Sequence, residues 1–392
     1  MRTRFAGGQE TLMAAARLAG RAPSRQNGRP HLRSAFISAM PLPSSVGQEI
    51  QFSTTAEFVP AGSAPLRCEG RSLAVDGALR LGFPGVTLRL LAEGGPIAVR
   101  IDAESDDVYF DVRSGVGDWL RFRARRGLGD YLLATPGSGK PLTISLLRRT
   151  ESWQGCCKIV GFVLAGRTRL LHPAPAPEKK LLFIGDSVTN GESTDLRPGE
   201  APLGIHRVNA RLSFGMELAG RLGAQCHLVS YGGRGILRDW QGNRDTATAA
   251  QFYERALPDE PASRWDHGSY VPDLICVELG TNDFNPGIPG RNEFVSAYVS
   301  FLRKLRADAP RAPILLAESP ILHDAAGEPA KRTRLREYLE DTIASARLPN
   351  VQLAPIGHYV GTPADAHPTG DEHRRIADEL EPAFRAELSR VG

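Results

Sequence analysis

The chain has 392 residues, of which 41% are hydrophobic and 23% charged, as expected of a globular protein with room for two domains. Its 48 basic residues exceed its 44 acidic ones by only four, which argues against binding to nucleic acid or to a membrane surface. The five cysteines form no metal-ligand pattern, and no apolar run is long enough to span a bilayer.

The first 47 residues are rich in arginine and contain only a weak apolar patch. They lack the continuous hydrophobic region of a signal peptide. We predict a disordered extension over residues 1–47. A start codon assigned too far upstream fits equally well, with Met40 as the alternative start.

Residues 48–170 predict an all-β domain. Short runs with apolar residues at every second position are separated by Gly, Pro and Asp, with no helical period between them. These runs are "ALRLGF", "VTLRLL", "IAVRIDA", "VYFDVR", "WLRFRA", "LTISLL" and "KIVGFVLA". This texture favours an antiparallel sandwich, of which the jelly roll is one version.

A stiff Pro-Ala linker is predicted over residues 171–179, and the pattern then changes. Across residues 180–392, apolar strands such as "KLLFIG", "CHLVSYG" and "DLICVELG" alternate with amphipathic helical stretches. About five buried strands separated by helices predict an α/β domain whose parallel sheet is covered on both faces. Ligands of such domains bind outside the carboxyl ends of the strands.

Polar or glycine-rich segments follow several of these strands. They are Gly185-Asp186-Ser187, "SYGGRGI" from Ser230, "GTND" from Gly280, and "DAHP" from Asp365 before the last helix. Because parallel strands end at one edge of a sheet, we expect these segments to lie close together.

The residue types in these segments suit acyl transfer. A serine hydroxyl needs a neighbouring base, and imidazole has a suitable pKa, so Ser187 is the candidate nucleophile and His367 the candidate base. Asp365 is placed to orient the imidazole. The N–H groups of Ser187 and Gly233 and the side-chain amide of Asn282 are candidate donors to the oxyanion.

Each residue taken singly has a simpler interpretation. Ser187 could cap a helix, and the glycines could only give the loop conformational freedom. "GTND" could be an ordinary turn, His367 a surface histidine and Asp365 a cap of the last helix. Their joint occurrence at successive strand ends favours catalysis. The motif Gly-x-Ser-x-Gly is absent from the sequence, which argues against the α/β-hydrolase fold.

The blocks "FIGDSVTNG", "SYGGRGI", "ELGTNDF" and "DAHPTGDEHRRIA" resemble the signature blocks of the SGNH, or GDSL-type, esterases and lipases. The resemblance covers the whole second domain and implies a flavodoxin-like, three-layer α/β/α hydrolase. It implies Ser187 as nucleophile and His367 as base, with Ser187, Gly233 and Asn282 forming the oxyanion hole. It implies no metal or cofactor.

A narrower resemblance is to carbohydrate esterase family 2, the acetyl xylan esterase-like enzymes. It rests on an Asp two positions before the His and on "TESWQGCCKIVGFVL" at the end of the β domain. It implies a jelly roll followed by an SGNH domain, the removal of acetyl groups from polysaccharides such as xylan or glucomannan, and an extracytoplasmic location. Some members of that family use a Ser-His dyad, so the role of Asp365 stays open.

Further site residues are weaker predictions. Gly235 rivals Gly233 as oxyanion donor, although "YGGRGI" resembles the family's "SGRG" form, in which the glycine before the arginine donates. Possible sugar-facing residues are Trp240, Phe284 and His206. A role of Trp153 at the domain interface is also possible, and Asp186 and Asp283 are expected to tie loops together.

The leading hypothesis is a serine esterase that deacetylates carbohydrate through an acyl-enzyme. A lipid or thioester hydrolase on the same fold is an alternative, although the predicted loops are polar rather than apolar. A catalytically inactive carbohydrate-binding protein is the other alternative, and the intact set of Ser187, Asn282 and His367 argues against it.

Overall fold

The computed structural model describes residues 45–197, 200–201 and 204–391. Most of the extension predicted for residues 1–47 lies outside this range. Residues 45–47 are described, and the N–H of Gly47 donates to the carbonyl oxygen of Leu132 at 2.8 Å. These three residues therefore belong to the β domain, because they pair with its edge.

The first domain is a sandwich of two antiparallel six-stranded sheets. One sheet has the order β3-β4-β11-β6-β9 with β1 beside β11, and the other has the order β12-β5-β10-β7-β8 with β2 beside β5. The strands are β1 (Glu57–Pro60), β2 (Leu66–Glu69), β3 (Ser72–Val75), β4 (Ala78–Leu81), β5 (Thr87–Glu93), β6 (Ile97–Ala103), β7 (Val108–Ser114), β8 (Leu120–Ala124), β9 (Gly127–Ala134), β10 (Leu142–Arg148), β11 (Cys157–Leu164) and β12 (Arg169–Leu171).

The second domain is built on a five-stranded parallel sheet with the order β14-β13-β15-β16-β17. Numbered within the domain, this is the order 2-1-3-4-5 of the flavodoxin-like doubly wound fold. The strands are β13 (Lys180–Gly185), β14 (Gln225–Ser230), β15 (Leu274–Glu278), β16 (Ile314–Ala317) and β17 (Val351–Ala354).

Helices cover both faces of this sheet. They are α1 (Ser187–Asn190), α2 (Phe214–Leu222), α3 (Ala249–Phe252), α4 (Thr281–Phe284), α5 (Arg291–Asp308), α6 (Lys331–Ala346) and α7 (Gly370–Val391). Alternate residues of β13 explain the three layers, because successive side chains of a strand point to opposite faces. Leu181 and Phe183 pack with α2 and α7, whereas Leu182 and Ile184 pack in the core that contains α5 and α6.

Within the described part of the chain, none of the helices combines the length and the apolar character needed to cross a membrane.

A buried arginine connects the two domains. Arg149 follows β10 and is fully buried, with a guanidinium nitrogen 2.7 Å from Asp111 on β7 and 2.8 Å from Asp195 in the second domain. The same guanidinium donates to the carbonyl oxygens of His206 and Val208 at 2.8 and 3.1 Å. Its charge is thus paired and its donors are used, which burial of a cation requires.

We expect Arg149→Met to lower the free energy of unfolding by about 3 kcal/mol, because it removes the fully buried cation that Asp111 and Asp195 share and leaves them with Arg211 and Arg197 as ionic partners. Arg169→Ala is the control, since the Arg169 side chain is 71% exposed and its ion pair with Glu93 should contribute less than about 1 kcal/mol. Denaturant titration of both variants checks this expectation. Equal small losses would show that Arg149 does not hold the domains together.

Candidate active site

The candidate site lies where neighbouring parallel strands end. Gly185, the last residue of β13, pairs with Ser230 at the end of β14 and with Glu278 at the end of β15. The segments after these three residues therefore leave the sheet side by side. The loop before α7 completes the group, as the parallel topology predicts.

A hydrogen-bonded chain of three side chains crosses this edge. His367 Nε2 lies 2.9 Å from Ser187 Oγ, although the two residues are 180 positions apart in the chain. His367 Nδ1 lies 2.7 Å from Asp365 Oδ1. With the Nδ1 proton donated to the carboxylate, Nε2 is free to accept the serine proton, which is the arrangement of a nucleophile, a base and an orienting acid.

The structure excludes the helix-cap interpretation of Ser187. Asp186 is the residue that caps α1, and its carboxylate accepts the N–H of Val188 at 3.1 Å. Ser187 is the first residue of the helix. Its hydroxyl faces His367 instead of a backbone N–H of the first turn.

Asp365 is itself held from two sides. Its Oδ1 accepts the backbone N–H of His367 at 3.1 Å, and its Oδ2 accepts the hydroxyl of Ser193. Ser193 is buried and has a φ of 62°, a left-handed conformation that costs energy for a residue with a side chain. This backbone conformation points the hydroxyl at Asp365 and fixes the carboxylate that orients the imidazole.

Gly233 carries a backbone N–H that has no acceptor among the described residues. Its φ is +75°, and a Cβ at this position would lie 2.8 Å from Cδ1 of Trp240. Glycine is therefore needed both for the turn and for the close packing of the indole. The N–H of Ser187 is likewise without an acceptor in the described part of the chain, so two backbone donors are ready for an oxyanion.

Gly235 serves a different purpose. A Cβ there would lie 2.2 Å from Asp283 Oδ2. The Asp283 carboxylate accepts the N–H groups of Ile236, Leu237 and Arg238 at 2.8 to 3.2 Å. Gly235 thus packs against a carboxylate that ties two loops together, and Gly233 remains the better oxyanion candidate.

Asn282 differs from the backbone donors. Its amide nitrogen donates to Asp186 Oδ2 at 2.8 Å and to the carbonyl oxygen of Arg234 at 2.9 Å. An amide nitrogen carries two hydrogens, so both are used within the protein. Asn282 can donate to an oxyanion only when its bond to Arg234 opens or is shared.

Carboxyl groups surround the buried imidazole. Burial alone favours the neutral ring and is the largest effect on its pKa. The charges of Glu192 and Asp365 and the hydrogen bond that the ring donates to Asp365 outweigh burial and raise the pKa of His367 to about 9. Glu192 Oε2 lies 3.7 Å from His367 Nε2. The pKa of Asp365 is lowered: burial would raise it, but the hydrogen bond and charge of His367 prevail.

The predicted sugar-facing residues have separate outcomes. Trp240 packs directly on Gly233 and is 9% exposed, so only its edge borders the site. The prediction for Phe284 is wrong: its ring is fully buried between Phe294 and Tyr338, beyond the reach of a sugar. His206 lies at the domain interface with its ring 3.8 Å from Glu200, and it does not contact the catalytic side chains.

Two residues of the site were missed by the sequence analysis. Glu192 follows directly after the first block, and its position near Ser187 was a signal that could have identified it. Glu151 lies in the other domain, and its carboxylate accepts the N–H of Gly232 at 2.6 Å. Trp153, predicted near the interface, is two residues from Glu151 and lies close enough to its carboxyl to affect the pKa of that group.

In the described residues, two groups have the side-chain types of a cation site. The first, Glu192, Asp365 and His367, has its imidazole nitrogens engaged by Ser187 and Asp365. The second comprises Glu254, His267 and Asp308, and the ammonium of Lys304 already pairs with both of its carboxylates. Neither group presents a free set of ligands.

Comparisons with known proteins agree with this geometry. Residues 183–380 match the GDSL-like Lipase/Acylhydrolase family, and residues 68–175 match the family Carbohydrate esterase 2 N-terminal. An acetylxylan esterase / glucomannan deacetylase of Cellvibrio japonicus is 37% identical over 337 residues, which cover 85% of this chain and 91% of that protein.

Solved structures give the same result for both domains together. A family two carbohydrate esterase from Cellvibrio japonicus has a TM-score of 0.81 at 32% identity, covering 86% of this chain and 99% of that chain. A family two carbohydrate esterase from Clostridium thermocellum, in complex with cellohexaose, has a TM-score of 0.75 over 83% of this chain and 99% of that chain. At 23% identity it supports the fold alone.

These matches confirm the predicted order of a jelly-roll sandwich followed by a flavodoxin-like hydrolase domain. The chain therefore belongs to the GDSL-like lipase/acylhydrolase family and, with both of its domains matched, to the family 2 carbohydrate esterases.

Proposed function

We propose that the protein is a serine esterase that removes acetyl groups from polysaccharides or oligosaccharides of the xylan or glucomannan type. The single observation that carries the mechanism is the contact of 2.9 Å between Ser187 Oγ and His367 Nε2, with Asp365 2.7 Å from the other ring nitrogen. The substrate class follows from the relative of Cellvibrio japonicus, which covers both domains.

In the first half of the reaction, Ser187 Oγ attacks the acetyl carbonyl carbon while its proton passes to His367 Nε2. The carbonyl oxygen becomes negative and accepts the N–H groups of Ser187 and Gly233. When the tetrahedral intermediate collapses, the bond from carbon to the sugar oxygen breaks, and Nε2–H returns its proton to that oxygen. The sugar leaves and Ser187 carries the acetyl group.

In the second half, a water molecule gives a proton to His367 Nε2 and attacks the acetyl-serine carbonyl. A second tetrahedral intermediate forms in the same hole. Its collapse breaks the bond to Ser187 Oγ, which takes the proton back from Nε2, and acetic acid is released and ionises to acetate in solution. Asp365 stabilises the imidazolium that exists in both halves.

The candidate oxyanion donors differ in whether they already have hydrogen-bond partners within the protein. The two backbone N–H groups are already free among the described residues, whereas Asn282 shares its hydrogens with Asp186 and Arg234. We expect the developing negative charge to compete with the Arg234 carbonyl for one amide hydrogen, because an anion is the stronger acceptor. Asn282 would then act mainly in the transition state.

Replacing the nucleophile tests the proposal directly. Ser187→Ala should lower kcat on 4-nitrophenyl acetate and on acetylated xylan by about 10³-fold or more, since no hydroxyl remains to be acylated. Ser300→Ala, at an exposed position of α5, is the control and should retain full activity. Undiminished turnover by Ser187→Ala would end the proposal.

The carboxylate of Asp365 separates a triad from a dyad. Asp365→Ala should lower kcat by roughly 10²- to 10⁴-fold, because the imidazole loses both its orientation and its counter-charge. Asp371→Ala removes an exposed carboxylate from the first turn of α7 and should leave kcat unchanged. If Asp365→Ala keeps a tenth of the wild-type kcat or more, a dyad is sufficient.

Glu192 should set the pH range of activity. His367 must be neutral to accept the serine proton, so kcat/KM should rise with pH towards a midpoint near the pKa of about 9. Glu192→Gln removes a negative charge that favours the imidazolium, and the midpoint should move to lower pH. Glu337→Gln, at a surface ion pair of α6, should leave it in place. A midpoint that stays fixed or rises in Glu192→Gln would contradict this role.

A further inference from the structure

The β domain places one acidic side chain against the catalytic loop. Glu151 follows β10 and precedes a 3₁₀ turn at Ser152–Gln154. Its own backbone is fixed from two sides: its N–H donates to the side chain of Gln154 at 2.8 Å, and its carbonyl oxygen accepts Arg148 at 2.9 Å. The carboxyl is therefore carried on a rigid support that belongs to the other domain.

This carboxyl reaches the glycine that precedes the oxyanion donor. The N–H of Gly232 donates to Glu151 Oε2 at 2.6 Å, and Glu151 is only 1% exposed. A Cβ on Gly232 would lie 2.8 Å from Oε1 and 3.1 Å from Oε2, so the loop approaches the carboxyl as closely as glycine allows. Gly232 and Gly233 share a peptide bond, whose N–H is the candidate donor to the oxyanion.

We infer that Glu151 is a positioning residue of the esterase, through which the β domain aims the Gly233 N–H at the oxyanion. The inference rests on the proposed role of Gly233 in the oxyanion hole. A peptide plane can rotate, and a rotated Gly232–Gly233 peptide would point the N–H away from the reacting oxygen. Glu151 holds the preceding peptide through the N–H of Gly232, and the N–H of Trp240 holds the following peptide by donating to the Gly233 carbonyl oxygen at 2.9 Å. With both neighbouring peptides held, rotation of the Gly232–Gly233 peptide is restrained. The β domain is thus part of the catalytic centre.

The protonation state of the Glu151 carboxyl indicates which substitution can preserve its role. Burial, and next the charge of Glu192, raise the pKa of Glu151 to about 8. The groups that face it are Glu192, the Gly232 N–H, and the side chains of Trp153 and Asn190. At neutral pH the group is therefore mainly an uncharged acid, and a glutamine has nearly the same shape and an oxygen that can accept the same N–H.

If Glu151 only stabilised the domain interface, its replacement would affect Tm and kcat in the same way as replacement of another buried interface residue. Arg71, another buried residue of the β domain, provides the comparison. It is 2% exposed, lies 5.0 Å over the ring of Trp265, and donates to the carbonyl oxygen of Arg255 at 2.9 Å. Arg71→Met should destabilise the same domain interface, with the catalytic loop left as it is.

The test compares Glu151→Gln, Glu151→Asp and Glu151→Ala with Arg71→Met in the full chain. We measure kcat and KM on 4-nitrophenyl acetate, Tm, and inhibition by methylboronic acid, whose serine adduct imitates the tetrahedral intermediate. Glu151→Ala should lower kcat about 10- to 100-fold with KM within about threefold of wild type. Its inhibition constant for the boronic acid should rise by a similar factor.

The other variants decide between positioning and stability. Glu151→Gln should stay within about threefold of wild type in kcat, and Glu151→Asp, with one methylene fewer, should fall between Gln and Ala. Arg71→Met should lower Tm with kcat within about threefold. The inference is overturned if Glu151→Ala or, should that variant not fold, Glu151→Asp keeps the wild-type kcat. It is also overturned if Gln is as damaging as Ala, or if Arg71→Met loses kcat in the same proportion to Tm. Failure of the proposed function would instead appear as an active Ser187→Ala.

Discussion

The pairing of Gly185 with Ser230 on one side and Glu278 on the other is the constraint on which the site depends. Parallel strands in register end at one level, so the segments that follow them must share one edge of the sheet. This register brings Ser187, Gly233 and Asn282 together, although long stretches of chain separate them. A shift by one residue in any of these strands would turn its end residue to the other face.

His367 is brought to the same edge of the sheet by contacts between helices α7 and α2. It lies just before α7, and α7 is fixed to α2 by His373, whose Nδ1 accepts the N–H of Phe214 at 3.1 Å while the two rings stack. Burial lowers the pKa of His373 to about 3, so the ring stays neutral and remains an acceptor. The candidate base is thereby held against the sheet by the contact between His373 and Phe214.

Acidic groups are concentrated beneath and around the nucleophile. Burial raises the pKa of Asp186 to about 7, and burial, followed by the charge of Asp186, raises the pKa of Glu278. The charges of Glu192, Asp365 and Asp186 together favour the imidazolium form of His367.

Much of this site could be predicted from the sequence because most of its candidate residues lie in short motifs that directly follow the strands. Phe284 shows where that reasoning fails. It follows Asn282 by two positions, and residues two apart on a helical turn point to nearly opposite sides. Asn282 faces the site, so Phe284 faces the core. The motif "ELGTNDF" identifies both residues as candidates, but it does not show in which direction each side chain points.

Features that depend on contacts between distant parts of the chain could not be predicted from the sequence. Strand β9, "GLGDYLLA", has two glycines and an aspartate that argue against a strand, and it forms because β6 pairs with it over its whole length. Glu151 lies in another domain, 81 positions from Gly232, and no local pattern links them. Sequence reasoning can predict the parts of the site that lie within one segment. It cannot predict the parts that depend on how the two domains pack.

The proposed mechanism requires the hydroxyl beside His367 to become acetylated during turnover. The most direct measurement is rapid quenching of the enzyme with 4-nitrophenyl acetate, followed by mass spectrometry of its peptides. We expect one acetyl group, on the peptide that contains Ser187 and on that side chain. If the enzyme turns over without an acetyl group there, or with the acetyl group on another residue, Ser187 is not the nucleophile.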